Sequence, residues 1–303
     1  MDPLASEKNQ NIHYPAAMVN ITNSCNLKCE HCFVFRDGNA NLVQNQEDDK
    51  NLIDQLIGLQ KKHGIHTMLW MGGEPLIKKE LLKKGLPYFE HNTITTNGTL
   101  PLVDYSQYTK SLLYVISLDG PEHVNDELRG RGVFQRVLKT LSNIPENFPH
   151  KIQCQCVVTK KNQHLLAELV DSLKNTKFDH MTFSFYVPPK NDDSGNCWLD
   201  LKDRDGAVKI ILDLKANSNG FIKNRTTSLE MMLSENNPKK ITDHCPAKKA
   251  VLPLYLDKGE FVTPFCCYGN DVNCDQCGAW VVFEFAARKA SEMWQSDPWY
   301  YED

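Results

Sequence analysis

Three cysteines within eight residues constrain this chain more than any other feature. Cys25, Cys29 and Cys32 have the spacing CX3CX2C and directly follow an apolar, strand-like run. Thiolates at this spacing can surround one small inorganic core and leave its fourth position without a protein ligand. An incomplete ligand set of this kind indicates a site that performs chemistry.

The composition favours a globular protein without a nucleic-acid or membrane partner. The 303 residues suffice for one large α/β domain and a small appendage, and 34 basic against 38 acidic side chains give a net charge of −4. No long block of one sign indicates a nucleic-acid groove or a membrane patch. The amino terminus lacks a secretory signal, and no apolar run approaches the ~18 residues of a membrane helix. We predict a soluble, cytoplasmic protein.

The eleven cysteines form three sets along the chain. In a reducing compartment such clusters hold metal more often than disulfides. Only the first set and the last set have spacings typical of metal ligands. The middle set is Cys154, Cys156 and Cys197, and the last set is Cys245, Cys266, Cys267, Cys274 and Cys277.

Apolar runs alternate with helical patterns over the first two thirds of the chain, which predicts a parallel sheet with right-handed crossovers. Ligands collect where the strands' carboxyl ends open into loops, so the unusual loops at Cys25, Gly72 and Asp119 should share one rim. The predicted strands are 17–22, 66–71, 92–96, 112–118, 151–159 and 181–187, and the predicted helices are 49–63, 81–90, 134–144 and 162–175.

A change to turn-rich, polar sequence after Val187 indicates a second part of the chain. We predict an amino-terminal extension over 1–16, an α/β core over 17–190 and a smaller region over 191–303. The last region is predicted to contain helices over 205–216 and 227–233, a hairpin over 252–265 and a closing helix over 279–294.

The spacing of the first cysteine set suits an iron–sulfur cluster or zinc. His31 is a candidate fourth zinc ligand, although it adjoins Cys32 and adjacent residues bind one metal awkwardly. A second signal is the turn Gly72-Gly73-Glu74-Pro75 after the second strand. Its glycines allow a ligand to approach the backbone, and its carboxylate suits an ammonium group; alternatively the turn simply connects a strand to a helix.

Together these residues resemble the radical S-adenosylmethionine (SAM) superfamily. The segment Cys25 to Phe33 has the family's cysteine spacing followed by an aromatic residue, and Gly72 to Pro75 matches its GGEP motif. Other similar features are Thr95-Thr96-Asn97-Gly98, Ser117-Leu118-Asp119-Gly120 and the pair Arg129-Gly130. The resemblance covers residues 17 to about 187 and implies a partial (β/α)6 TIM-type barrel.

The resemblance also implies the contents of the site. Cys25, Cys29 and Cys32 would hold a 4Fe–4S cluster whose open iron binds SAM, with ferredoxin or flavodoxin as a typical reducing partner. The residues implied to contact SAM are Gly72, Gly73 and Glu74 at the amino group, with Pro75 and Asn97 beside them, Ser117 and Asp119 at the ribose or carboxylate, Phe33 at the adenine and Arg129 at the carboxylate.

The last cysteine set resembles the SPASM and twitch extensions of the same superfamily. Cys245 is followed by thirteen residues and Gly259, then by Cys266-Cys267 and a CXXC motif. The gap between the glycine and the next cysteine is longer than usual. We predict one auxiliary 4Fe–4S cluster on a small cysteine-rich α+β extension, ligated by Cys245, Cys266 or Cys267, Cys274 and Cys277; a structural zinc site is the alternative.

The middle cysteines are predicted to be structural. Cys154 and Cys156 alternate along a strand and so share one face, where they pack as small apolar groups or, alternatively, face the barrel interior. Cys197 lies in a loop without a partner at ligand spacing. The aromatic tail, Trp294 and residues 299–301, is predicted to pack on the domain.

The resemblance therefore implies reductive cleavage of SAM and hydrogen abstraction from a peptide or small molecule. The short segment before the first strand argues against a built-in domain for capturing a leader peptide. The alternatives are adenosyl transfer to a hydrocarbon lipid, for which the segment Thr226 to Met232 has a faint similarity, a dehydrogenase that uses the auxiliary cluster as electron acceptor, and a non-catalytic zinc-binding module.

Overall fold

A computed structural model describes residues 13–36 and 49–290, and all structural statements below concern these residues. The predicted alternation of strands and helices is present. The six predicted strands are β1 (Ala16–Asn20), β2 (Thr67–Met71), β3 (His91–Thr96), β4 (Leu112–Ser117), β5 (Lys151–Val158) and β6 (His180–Phe185). Each is short and largely buried, as in a parallel sheet covered by helices.

Two further strands extend this sheet beyond β1. They are β7 (Val251–Asp257) and β8 (Glu260–Val262), and the strand order is β6-β5-β4-β3-β2-β1-β7-β8. All neighbours from β6 to β7 are parallel, whereas β8 is antiparallel to β7. The sheet is open, which confirms the predicted partial barrel. The predicted hairpin is also present, but its first strand belongs to the barrel sheet, with Ala16 opposite Val251 and Val19 opposite Leu254.

The helices on the barrel follow the predicted positions with local differences. α1 (Asp49–His63) has the predicted bounds, and α2 (Lys79–Gly85) is shorter because 3-10 turns precede and follow it. α3 (Glu122–Arg129) was not predicted, since only Val124 and Leu128 give its polar sequence an apolar pattern. The crossovers continue with α4 (Val133–Ser142), α5 (Leu166–Leu173) and α6 (Leu201–Ala216), which begins earlier than predicted.

Up to residue 290, the described part of the C-terminal region contains four further α-helices. They are α7 (Thr226–Glu230), α8 (Lys239–Asp243), α9 (Ala247–Ala250) and α10 (Trp280–Ala290). α8 and α9 were not predicted, because each is too short to show a helical period. The last four residues of the predicted closing helix and the aromatic tail lie outside the described residues. No helix in the described ranges has the length and hydrophobicity needed to cross a membrane.

Buried polar side chains attach this region to the barrel. Arg204 of α6 is 2% exposed and donates hydrogen bonds to the carbonyls of Cys277 (3.1 Å) and Met232 (3.0 Å). The side chain of Asn224 pairs with the backbone of Phe183, accepting from its N–H and donating to its carbonyl, both at 2.8 Å. Asn224 thus provides hydrogen-bond partners for the backbone N–H and carbonyl of Phe183 at the outer edge of β6, where a further strand would otherwise pair.

The two faces of β5 have different surroundings. Cys154 and Cys156 are fully buried in the apolar core, whereas Gln155 and Val157 line the cavity at the mouth of the barrel. The prediction that the two thiols share a face is confirmed. The alternative that they face the barrel interior is wrong, because the interior side of the strand is occupied by the odd-numbered residues.

The pairing of β7 with β1 predicts that the C-terminal region contributes to the stability of the barrel. Leu254 is 1% exposed in β7, whereas Leu199 is 83% exposed. We expect Leu254→Ala to lower the free energy of unfolding in urea by about 2–5 kcal/mol, because it leaves a cavity in the core. Leu199→Ala should change it by no more than about 0.5 kcal/mol. Equal stability of the two variants would contradict a contribution of β7 to the stability of the barrel.

Candidate functional site

The cysteine loop begins where β1 ends and remains hydrogen-bonded to the neighbouring strand. The N–H of Ile21 donates to the carbonyl of Met71 (3.0 Å), so the loop leaves the sheet in a defined direction. Cys25, Cys29 and Cys32 are half-buried and line one cavity of about 250 Å³ at the carboxyl ends of the strands. The three predicted ligands therefore face one common space.

The turn Gly72 to Pro75 lies directly against this loop. The N–H of Gly73 donates to the carbonyl of Thr22 (2.8 Å), and the N–H of Glu74 donates to that of Ser24 (2.9 Å). A Cβ added to Gly73 would lie 2.1 Å from the Ser24 oxygen and 3.0 Å from Cys25 Cβ. The glycines were predicted to expose backbone to a ligand; the structure adds that they leave room for the cysteine loop.

Glu74 connects the same turn to the end of β3. Its buried carboxylate accepts hydrogen bonds from the Leu76 N–H (2.9 Å), the Thr96 hydroxyl (2.7 Å) and the Asn97 N–H (2.8 Å). Burial raises the pKa of Glu74, and these hydrogen bonds partly oppose that increase. The side chain does not line the cavity, unlike Gly72 and Gly73. Pro75 is buried and begins a 3-10 turn.

Asn97 and Ser117 place polar groups at the ends of two further strands. Both residues line the cavity. Asn97 Nδ2 donates to Asn26 Oδ1 at 2.8 Å and lies 4.0 Å from Cys25 Sγ, so Asn97 supports the cysteine loop from the β3 side. The expected common rim of loops is therefore present.

Asp119 occupies a buried position behind the cavity. Its Oδ2 lies 2.6 Å from Arg129 Nε and 2.9 Å from His31 Nε2, and its Oδ1 accepts a hydrogen bond from the Val157 N–H at 2.7 Å. Burial alone would raise the pKa of Asp119, but Arg129 and His31 outweigh it and hold that pKa well below its ordinary value. Asp119 is fully buried and does not line the cavity, whereas His31 and Arg129 do.

The pairing of His31 with Asp119 is not predictable from the sequence. The sequence suggests His31 as a candidate zinc ligand, and the structure pairs it with a carboxylate 88 positions later in the chain. No spacing rule relates two residues so far apart. His31 thereby joins the cysteine loop to the end of β4 through Asp119.

α3 supports the cysteine loop from the other side. The N–H of Glu30 donates to the carbonyl of Leu128 (2.9 Å), and Cys29 Sγ lies 4.0 Å from the carbonyl oxygen of Arg129. Burial raises the pKa of Cys29 to about 11, with Arg129 opposing the increase and the thiol of Cys32 adding to it. Binding of metal by Cys29 must therefore displace a proton.

Part of the cavity wall is aromatic and cationic. The rings of Phe33 and Tyr268 lie 4.8 Å apart, centroid to centroid. Arg36 donates to the carbonyl of Val187 (2.6 Å) and lies over the ring of Tyr186, 5.4 Å from its centroid. Among the described residues its Nη1 has no hydrogen-bond partner, so it is available to an acceptor on a bound molecule. Arg36, Tyr186 and Tyr268 carried no sequence signal.

All five C-terminal cysteines line a second cavity, of about 220 Å³, next to the first. Cys245 precedes α9, Cys266 and Cys267 begin a tight turn closed by hydrogen bonds between the backbones of Cys266 and Gly269, and Cys274 and Cys277 bound a 3-10 turn. The two cavities share part of their walls: Val187, Val251, Cys267, Tyr268 and Val281.

Both cysteine sets fit iron–sulfur ligation in their donor chemistry. Their donors are thiols, the ligands that hold such clusters, and each set surrounds a cavity. Nowhere in residues 13–36 and 49–290 do three His, Cys, Asp or Glu side chains converge as a site for a single metal ion requires. The thiols are thus arranged around spaces rather than around one point.

Comparison with known proteins identifies the family. A family model described as the radical SAM superfamily matches residues 19–173, slightly more than half of the chain. The chain therefore belongs to the radical SAM superfamily and is a radical SAM enzyme, as the cysteine loop and the GGEP turn predicted. Membership implies a 4Fe–4S cluster and SAM.

Two curated relatives illustrate the similarity. Fe-coproporphyrin III synthase of Methanosarcina barkeri is 31% identical over 68% of this chain and 53% of its own length. The cysteine-type anaerobic sulfatase-maturating enzyme of Clostridium novyi is 24% identical over 72% of this chain and 65% of its own. The chain thus spans half to two thirds of the length of these relatives.

A solved structure agrees with the fold. Streptococcus suis SuiB bound to S-adenosylmethionine superposes with a TM-score of 0.61 at 20% identity, covering 80% of this chain and 59% of that chain. The similarity of fold therefore extends beyond the range of the family model.

The Asp119 network predicts a specific loss of stability. Asp119→Asn removes the charge that neutralises buried Arg129, and we expect a loss of about 3–5 kcal/mol in the free energy of unfolding at pH 7. Because the folded-state pKa of Asp119 is lowered, its stabilisation is present above the ordinary carboxyl pKa of about 4 and is lost as the pH falls further. Urea unfolding should show a constant difference from pH 8 to 5. The exposed Asp171→Asn is the control, and an equal effect of both variants would contradict the assignment.

The contact between the two loops predicts a selective effect on metal binding. In Gly73→Ala the new Cβ would displace the Ser24 carbonyl and the Cys25 side chain, so we expect the reconstituted protein to retain less iron. Gly206→Ala is the matched control, because nothing lies within 4 Å of its Cβ position in α6. Iron content after anaerobic gel filtration is the measurement. Equal iron in the two variants would mean that the loop tolerates the added carbon.

Proposed function

We propose that Cys25, Cys29 and Cys32 hold a 4Fe–4S cluster at which this enzyme cleaves SAM reductively. One observation carries the proposal: the three thiols, the Gly72-Gly73 backbone, Asn97, Ser117 and Arg129 line a single cavity at the carboxyl ends of the strands. Because only three cysteines bind the four-iron cluster, one iron is free to bind SAM.

The surrounding residues would divide the binding of SAM between them. Gly72 and Gly73 offer backbone groups to the methionyl amino group, and Ser117 and Arg129 are placed for the ribose and carboxylate. Phe33 supplies an aromatic face for the adenine. When bound, the cluster supplies the electron that converts SAM to methionine and a 5′-deoxyadenosyl radical, which takes a hydrogen atom from the substrate.

Glu74 and Asp119 would act on SAM through their neighbours. Glu74 keeps the GGEP turn attached to β3, and its carboxylate is already occupied by three protein donors. Asp119 holds Nε of Arg129, and Arg129 lines the cavity. Both residues are therefore proposed to position the groups that contact SAM.

A second, auxiliary 4Fe–4S cluster is proposed at the C-terminal cysteines. Cys245, Cys274, Cys277 and one of the pair Cys266-Cys267 would ligate it in the adjoining cavity. Its place beside the barrel mouth suits electron transfer or contact with the substrate. A structural zinc ion is the alternative, and metal analysis decides between them.

The substrate is proposed to be a peptide or a small molecule. Support comes from the relatives, since one is named for an iron porphyrin, another for sulfatase maturation, and SuiB is also known bound to precursor peptide SuiA. The segment compared with lipid adenosyltransferases forms α7 and the turn after it, away from the cavity lining. A cytoplasmic location and ferredoxin or flavodoxin as reductant complete the proposal.

Replacement of one proposed ligand tests the proposed function. In Cys29→Ala we expect dithionite-dependent release of 5′-deoxyadenosine to be abolished, because the cluster loses one of three ligands. Cys197→Ser is the control, since Cys197 lies outside both cavities. The measurement is chromatography of SAM products from anaerobically reconstituted protein. Unchanged release in Cys29→Ala, or zinc without sulfide in the reconstituted protein, would overturn the proposal.

A further inference from the structure

The C-terminal site has five cysteines for a cluster that takes four protein ligands. Cys245, Cys274 and Cys277 are separated from one another, so the choice lies between the adjacent residues Cys266 and Cys267. The sequence offers no basis for this choice. The structure distinguishes the two thiols by their hydrogen bonds and by the spaces they face.

A backbone donor gives Cys266 the same local hydrogen bond as Cys25, a proposed ligand of the first set. Cys266 Sγ accepts a hydrogen bond from the N–H of Tyr268, two residues later, at 3.3 Å. In the first cysteine set, Cys25 Sγ accepts from the N–H of Leu27, also two residues later, at 3.4 Å. Hydrogen bonds from backbone N–H groups to cysteine sulfur stabilise the thiolate that a metal requires.

Backbone N–H groups also act on two other members of the C-terminal set. Burial is the largest influence and raises the pKa of Cys245 and of Cys277, and the backbone N–H groups of Lys248 and Ala247 at Cys245, and of Ala279 at Cys277, oppose that increase. Cys267 has no such donor two residues later among its interactions. Cys245, Cys266 and Cys277 are therefore each influenced by the backbone N–H of a later residue, and Cys267 differs from them in this respect.

Cys267 also differs in the space it faces. It lines both the C-terminal cavity and the cavity of the first cysteine set, whereas Cys245, Cys266, Cys274 and Cys277 line only the former. Its backbone is fixed, because the Tyr255 hydroxyl donates to its carbonyl at 2.9 Å. The next residue, Tyr268, packs on Phe33 at the proposed adenine position. Cys267 is thus part of the wall between the two sites.

We propose that Cys266 completes the auxiliary ligand set with Cys245, Cys274 and Cys277, and that Cys267 remains an unligated thiol in the wall of the SAM cavity. This inference depends on the proposed function for the identity of the molecule in that cavity. Cys267 would then contact the molecule bound in the cavity of the first cysteine set.

Metal content of the reconstituted holoprotein tests the ligand assignment. Cys267→Ser should keep about eight irons and eight sulfides per chain, whereas Cys266→Ser should lose about four of each, corresponding to one cubane cluster. The opposite pattern, or equal loss in both variants with the fold intact by circular dichroism, would overturn the proposal. A full complement in both variants would overturn it as well.

Alkylation of the unmodified chain provides a test that does not depend on the folding of a variant. Under anaerobic conditions iodoacetamide should label Cys267 in the holoprotein, and peptide mass spectrometry should find Cys266 protected. SAM at ten times its dissociation constant should slow labelling of Cys267 about tenfold, because only the empty fraction reacts. Labelling of Cys197, outside both cavities, should be unaffected.

The outcomes separate this inference from the proposed function. Labelling of Cys266 in place of Cys267, or labelling of Cys267 that SAM does not slow while SAM is still cleaved, overturns the inference alone. Failure to bind iron at Cys25, Cys29 and Cys32, with no cleavage of SAM, overturns the proposed function. Protection of Cys267 by SAM and of Cys266 by the cluster supports both.

Discussion

The site depends on backbone contact between the two loops that continue β1 and β2. Parallel pairing does not stop at the ends of these strands, because Gly73 and Glu74 donate to the carbonyls of Thr22 and Ser24. The sheet thereby extends into the cysteine loop and fixes its start. A Cβ at Gly72 or Gly73 would lie within 3 Å of the Thr22 or Ser24 carbonyl oxygen, so these two glycines are needed for the loops to approach each other and for Cys25 to lie where it does.

A second support is electrostatic and lies on the far side of the loop. Buried Asp119 pairs with His31 and Arg129, which come from the cysteine loop and from α3. Such a network is costly to bury and is stable only when each charge has a partner. Its arrangement allows Arg129 to face the cavity with its charge already balanced. In the proposed function, Arg129 would meet the carboxylate of SAM, and Asp119 would balance its charge when no ligand is bound.

The sequence predicted the parts of the structure that depend on local pattern. The strand positions, α1, the common rim and the family followed from apolar periodicity and from two motifs with defined spacing. The pairing of His31 with Asp119 did not follow, because it joins residues remote in sequence. The position of Cys267 in the walls of both cavities did not follow either, because it depends on how the two cysteine regions pack together. α3 was missed because its buried face includes Asn125 and Arg129, whose polarity conceals the helical period. The pairing of β7 with β1 was missed because a hairpin pattern reveals its turn but not the strand on its other side.

The position of β7 also determines how the two cysteine sites are connected. β1, which leads into the first cysteine set, lies between β2 and β7, and β7 lies in the chain between Cys245 and the other four cysteines of the last set. The two cysteine sites are therefore attached to adjacent strands of one sheet, whose spacing is about 4.8 Å. Residues of both cavities, Cys267 and Tyr268 among them, form a shared wall next to these strands. A fragment cut before β7 would present the apolar edge of β1 to solvent, where another chain could pair with it.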